Sequence, residues 1–178
     1  ARAQALWPDA LVVHRLDMAT SGLLLMARGA QTQRQLSMAF AARLVHKRYE
    51  AVVHGLLPPP QSADGWGEID LPLVLDWPNR PRSIVDPARG KPSLTRWRVL
   101  AQDRTDGTTR VALEPVTGRS HQLRVHLQAL GHPILGDALY APPEVQARAD
   151  RLLLHACALR LPHPAGGQDC EFRSPVPF

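Results

Sequence analysis

Eight consecutive residues, Leu152-Leu153-Leu154-His155-Ala156-Cys157-Ala158-Leu159, are apolar at nearly every position. A strand with one wet face alternates apolar and polar residues, whereas an unbroken apolar run needs cover on both faces. The segment therefore predicts a central strand. A chain of 178 residues is long enough to supply that cover within one domain. His155 inside the run is expected to be a hydrogen-bonded structural histidine, because a buried polar group needs partners. Cys157 reads as a buried free thiol. The only other cysteine, Cys170, gives a spacing that fits neither a metal knuckle nor a disulfide scaffold.

The remaining periodicities surround such a strand with mixed elements. Leu36, Ala39, Phe40 and Leu44 recur at three- and four-residue steps and predict an amphipathic helix over 30–44. Residues 47–54 alternate, with Tyr49, Ala51 and Val53 on one face and Arg48, Glu50, Val52 and His54 on the other. On pattern alone Tyr49 reads as core. Prolines 72, 78, 81 and 87 make residues 68–91 an irregular excursion with at most small hairpins. Strand pattern returns over 94–101 and 109–116, with Asp106-Gly107 as the turn pair. Gly118 ends that pattern. A helix is then expected over 121–130, with Ser120 as N-cap and Gly131 as stop. A short helix near Pro143 and a final edge at Glu171-Phe172 complete an α+β pattern.

One loop concentrates the chemistry. Val13-His14-Arg15-Leu16-Asp17-Met18-Ala19-Thr20-Ser21-Gly22 lies between the strand-like segments Leu11–Val13 and Leu23–Ala27, so rigid neighbours can hold an exposed polar loop. The Arg-x-Asp pair fits either a structural ion pair or an active-site carboxylate, and Thr20 and Ser21 fit ordinary turn chemistry. The eight histidines form no metal-binding spacing, no G-x-S-x-G elbow occurs, and no Walker or dinucleotide glycine loop is found. Asp17 has no partner acid of the glycosidase kind. A carboxylate oriented by a guanidinium suits a nucleophile or a proton acceptor.

The basic charge is almost wholly arginine. Lysine and arginine total 21 against 16 acids, and only Lys47 and Lys91 are lysines. Between residues 80 and 98, Arg80, Arg82, Arg89, Lys91, Arg96 and Arg98 face a single acid, Asp86. Arg43, Lys47 and Arg48 form a second cluster. Charge alone fits either a polyanionic partner, such as a nucleic-acid backbone, or a merely solvated face. With no apolar run long enough to span a bilayer and no signal-peptide pattern, the expectation is a soluble cytoplasmic monomer.

Five blocks in order resemble the RluA family of RNA pseudouridine synthases. They are His14-Arg15-Leu16-Asp17 with Thr20-Ser21-Gly22, Lys47-Arg48-Tyr49-Glu50-Ala51, residues 117–126 (Thr117-Gly118-Arg119-Ser120-His121-Gln122-Leu123-Arg124-Val125-His126), residues 131–137 (Gly131-His132-Pro133-Ile134-Leu135-Gly136-Asp137) and Leu152-Leu153-Leu154-His155-Ala156. The piece Leu73–Pro81 resembles the RluA subgroup, whose members modify a large-subunit rRNA hairpin and the anticodon stem-loop of certain tRNAs. The resemblance implies a mixed, mostly antiparallel twisted sheet with flanking helices and a central RNA-binding cleft.

The same resemblance assigns roles. Asp17 matches the catalytic aspartate, and Arg15 the arginine inserted where the target nucleotide leaves its stack. Tyr49 matches the tyrosine packed on the base, and Arg119 the basic residue paired with the aspartate. Leu154 matches the apolar pocket position, with Leu152 as the alternative, while His14 and Arg124 match supporting or RNA-contacting positions. No cofactor and no metal are implied, since the product is an isomer of the substrate. Nothing resembles the Val-Asn-Lys-Pro-x-Gly block that the family places before the aspartate loop, nor an S4-like module. The expected organisation is thus a single catalytic domain, 1–178, incomplete at its start. The rival expectations are an RNA-binding fragment without turnover and a hydrolase using Asp17.

Overall fold

The computed structural model describes residues 2–178. In chain order the elements are α1 (Arg2–Leu6), β1 (Ala10–Val12), β2 (Ser21–Gly22), β3 (Met26–Arg28), α2 (Ala30–Ala41), β4 (His46–His54), β5 (Gly67–Asp70), β6 (Leu73–Leu75), β7 (Ser83–Val85), β8 (Leu94–Asp103), β9 (Thr108–Pro115), α3 (Gln122–Ala129), α4 (Pro143–Gln146), β10 (Leu154–Pro162) and β11 (Asp169–Arg173). The main sheet runs β11-β10-β4-β9-β8-β5, all neighbours antiparallel, and β2 joins β10 in parallel. The apolar run becomes β10, with β4 along one side and β11 and β2 sharing the other. Its residues 154–157 are buried, as a strand covered on both faces requires.

β4 is the spine of the site. Tyr49 pairs with Ala156 of β10 and Leu113 of β9, and Ala51 pairs with Leu154 and Val111. Directly paired residues point to the same face, so Tyr49, Ala51, Leu113 and Leu154 share one surface. There they meet Leu123 and Leu127 of α3, Ile134 and Leu152 in the main core. A second cluster joins Leu36 of α2 to Ala27, Val45, Leu159 and Leu161. A third packs Leu73 of the β6–β7 hairpin against Val125 and Tyr140.

Several expectations shift at element ends. α2 stops at Ala41 because Arg43 turns left-handed at φ 58°, and the Leu44 amide then bonds the Ala39 carbonyl at 2.9 Å. Leu44 thus leaves the helical face and is exposed. Ser120 does not cap α3. His121 holds that position in the left-handed region at φ 55°. Residues 67–70 join the main sheet as β5, while the excursion's remaining regular part is the small hairpin β6–β7. Gly22 lets β2 close on β10. At φ 107°, a Cβ there would stand 2.3 Å from the Ala156 carbonyl oxygen, so no side chain lets β2 reach β10.

Candidate active site

The loop between β1 and β2 is fastened at both ends. Past its N-terminal end, His14 Nε2 accepts the Leu25 amide at 2.9 Å, and its ring stacks on Phe40 with centroids 4.8 Å apart. Burial, helped by the nearby Lys47 ammonium, pushes the His14 pKa below its usual value of 6.5, so the ring is neutral and free to accept. Past the loop's other end, Ser21 Oγ meets His155 Nδ1 at 2.8 Å, and His155 Nε2 meets Ser174 Oγ at 3.0 Å. His155 has the structural role read from the sequence.

Between these anchors Asp17 faces a pocket of about 280 Å³. The same pocket is lined by His14, Arg15, Thr20, Lys47, Tyr49, Arg119, Gln122 and Leu154, among others. Asp17 is its only carboxylate among the described residues. The Asp17 side chain keeps 23% of its exposure, enough to meet a substrate in the pocket. Two cationic or hydrogen-bonding groups approach it: Arg124 Nη1 at 4.0 Å from Oδ2 and His121 Nε2 at 4.0 Å from Oδ1. Both come from the start of α3, where a three-residue step puts them on neighbouring surface.

Arg124 is fixed from behind. Its Nε and Nη2 bond Asp137 at 2.8 and 2.5 Å, and Asp137 also accepts the amides of Leu139 and Tyr140 at 2.9 and 3.1 Å. The Arg124 and Asp137 side chains are 5% and 0% exposed. A bidentate pair with its remaining lone pairs bonded is the geometry in which a buried ion pair is tolerated.

Tyr49 lies between core and pocket, packed on the main cluster and lining the cavity. Burial first, then the Asp17 charge and Cys157, push its phenol pKa up to about 12. The hydroxyl keeps its proton and can donate, but it is no base near neutrality. Leu154, buried, lines the pocket, whereas the alternative Leu152 belongs to the core alone.

Three further candidates have different surroundings. Arg119 lines the pocket and is exposed, but its guanidinium is not among the cations within 4.0 Å of Asp17. Its backbone is held instead, the amide donating to Gln122 Oε1 at 3.0 Å, while Arg124 and His121 occupy the near positions. Of the two roles the resemblance offers Arg124, support or RNA contact, its buried pair with Asp137 fits support. His14, through Nε2, fits the supporting role as well.

The basic clusters also divide. Strand alternation turns Lys47 toward the pocket with Tyr49 and Arg48 to the opposite face, where it bonds Glu114 at 2.7 Å. Arg96 joins that face through Asp64 and Glu114, Arg98 lies over Trp66, and Arg89 bonds Asp86. Arg80 and Arg82 remain exposed in the β6–β7 connection, over the rings of Trp77 and Tyr140 at 4.5 and 5.4 Å. The sequence reading missed Lys47 as a pocket residue and His121 as a neighbour of Asp17. Two-residue alternation from Tyr49 and three-residue spacing from Arg124 were the signals that point to them.

Residues 4–129 match the model of a family described as RNA pseudouridylate synthase. The chain is 50% identical over 177 residues to the dual-specificity RNA pseudouridine synthase RluA of Escherichia coli K12, covering 99% of this chain and 78% of that protein. The protein of the same name from Vibrio cholerae is 53% identical over 157 residues, covering 88% of this chain and 61% of its own length. Among solved structures, human RNA pseudouridylate synthase domain containing 1 superposes with a TM-score of 0.83 at 32% identity, covering 99% of this chain and 73% of that one. Human RNA pseudouridylate synthase domain containing 4 gives 0.74 at 25% identity, covering 94% and 72%.

Proposed function

The chain belongs to the RluA family of RNA pseudouridine synthases, and on that premise we propose that Asp17 is the group that reacts at the target ribose. The enzyme isomerises uridine to pseudouridine in structured RNA. The N1–C1′ bond breaks, the uracil turns, a C5–C1′ bond forms, and the proton lost from C5 is balanced by one gained at N1. The base has to leave its stack to reach a carboxylate set in a pocket. The observation that carries the reading is the position of Asp17 as the sole carboxylate lining a cavity otherwise edged by Arg15, Lys47 and Arg119.

The other parts follow from their surroundings. Tyr49, with a protonated hydroxyl and a ring at the cavity wall, packs on the turned base, and Leu154 supplies the apolar floor. Arg15, exposed beside Asp17, fills the gap left by the extruded nucleotide. Arg80 and Arg82 hold the RNA backbone, which fixes register without reading sequence. The substrate is a stem-loop of large-subunit rRNA, of tRNA, or of both, the expectation that the Leu73–Pro81 resemblance raised; the Escherichia coli and Vibrio cholerae relatives are named as dual-specificity RNA enzymes. The protein works in the cytoplasm as a monomer.

RNA tritiated at uridine C5 tests the reading. A synthase releases the label and leaves no abasic site, a binding protein releases none, and a glycosidase leaves an abasic site. Transcripts of the two stem-loop classes, assayed separately, decide between single and dual substrates.

A further inference from the structure

Behind Asp17 runs a hydrogen-bonded chain that reaches the β6–β7 hairpin. The amide of Ser83, the first residue of β7, donates to Tyr140 Oη at 2.7 Å. Tyr140 Oη lies 2.7 Å from His121 Nδ1, and the two rings meet edge to face with centroids 5.5 Å apart. His121 Nε2, the opposite ring nitrogen, is 4.0 Å from Asp17 Oδ1.

The direction of this chain follows from counting protons. A backbone amide can only donate, so the phenolic proton of Tyr140 has no use toward Ser83. Burial raises the Tyr140 pKa, so the proton stays on, and its available acceptor is His121 Nδ1. An imidazole that accepts at Nδ1 carries its proton on Nε2, the nitrogen aimed at Asp17. Burial also lowers the His121 pKa, against the charges of Asp17 and Asp137 and together with those of Arg124 and Arg15. The ring is therefore neutral with one defined tautomer. Its backbone sits at φ 55°, a conformation that residues with a Cβ rarely adopt and that persists where surroundings over-determine it.

We propose that His121 and Tyr140 are positioning residues for the isomerisation: Tyr140 holds His121 in the tautomer whose Nε2–H faces Asp17, and ties that carboxylate to the hairpin bearing Arg80 and Arg82. At 4.0 Å the N–H steers the carboxylate and leaves its lone pairs open to the ribose. RNA held on the hairpin thereby stiffens the group that aims Asp17. Arg124, over the Tyr140 ring at 5.0 Å, helps keep that ring in place.

This inference rests on Asp17 being the reacting carboxylate, and its test separates the two. Nitrogen NMR of the full chain labelled at histidine should show His121 as the neutral Nε2–H tautomer. In Tyr140→Phe, which keeps the packed ring, the signal should move toward a mixture. Single-turnover conversion should fall at least about tenfold while RNA affinity stays within about threefold. His121→Asn, which tolerates the left-handed backbone, should show the same loss, and the double variant should lose no more than either alone. Wild-type His121 found as the Nδ1–H tautomer, or a folded Tyr140→Phe turning over at the wild-type rate, overturns the proposal. Should Tyr140→Phe fail to fold, the wild-type tautomer and the His121→Asn rate decide. A turnover surviving Asp17→Asn would sink the Asp17 reading itself, while leaving the tautomer assignment to the NMR result.

Discussion

The guanidinium of Arg124 stands between two carboxylates, 4.0 Å from Asp17 on one edge and doubly bonded to Asp137 on the other. The pocket's carboxylate is thus backed by an ion pair that the fold itself encloses. Arg124→Met would leave Asp137 buried, charged and without its cation. The expected loss is about 3–5 kcal/mol of stability, read from urea denaturation. Arg124→Lys keeps the charge without the two-pronged geometry and should fall between the variant and wild type. A Met variant with an unchanged urea midpoint would show that the pair contributes little.

Tyr49 touches both the core and the cavity, so its substitutions should separate into two effects. Tyr49→Ala should abolish single-turnover conversion and lower stability by about 3 kcal/mol, the scale for deleting a packed aromatic ring. Tyr49→Phe should keep stability near neutrality and reveal the hydroxyl's share of the rate. It should also alter the alkaline limb. With the folded phenol near 12 and the unfolded one near 10.0, the native state holds the proton more tightly over that window. Stability is therefore intact below pH 10 and falls as pH rises toward 12, by about 3 kcal/mol at most from this group. The Phe variant should lack that share of the fall in pH-dependent denaturation curves.

Acid should weaken the fold for the mirror-image reason. His14, His121, His126 and His155 all have pKa values lowered from 6.5, each chiefly by burial. Below pH 6.5 the unfolded chain takes up protons that the native state resists, so stability is full above that pH and declines beneath it. His126 is fully buried between Thr95 Oγ1 and the Leu71 carbonyl, at 2.9 and 3.1 Å, which ties this limb to the main sheet. Melting temperatures between pH 5 and pH 7 check the direction. A flat profile would contradict it.

The two faces of the sheet should respond differently in RNA binding. Arg80→Ala and Arg82→Ala are each expected to reduce the salt slope of binding by up to about one, the value for one lost phosphate contact. Arg48→Ala and Arg96→Ala remove charges that already face Glu114 on the sheet's other face, and should leave the slope unchanged. Filter binding across a series of salt concentrations separates the pairs. Equal slopes for all four would mean that RNA does not discriminate between the faces.

Much of the architecture was legible because its signals are local. The unbroken apolar run at 152–159 requires a doubly covered strand, the alternation at 47–54 sets which β4 residues face the pocket, and Asp106-Gly107 marks the β8–β9 turn. Asp17 could be picked out as a carboxylate without a partner acid or metal spacing. What the sequence did not disclose depends on packing between distant segments. Arg119 lies two residues before His121 and five before Arg124. Only the left-handed turn at His121 and the buried Asp137 decide which of the three stands near Asp17. Counting charges grouped Lys47 with Arg48, although one faces the cavity and the other Glu114. Likewise the segment 80–98 shows one acid in sequence, Asp86, whereas Asp64 and Glu114 from elsewhere in the chain also pair with its arginines.

The central claim is that Asp17 performs the chemistry and contributes little to holding RNA. Asp17→Asn keeps the side chain's shape, so its RNA affinity should stay within about tenfold of wild type while its single-turnover conversion falls below roughly a thousandth. Both are read on one stem-loop substrate by label release from uridine C5 beside a binding isotherm. Tight binding with no label released is the expected result. Label released at a rate near wild type by the Asn variant would contradict the account.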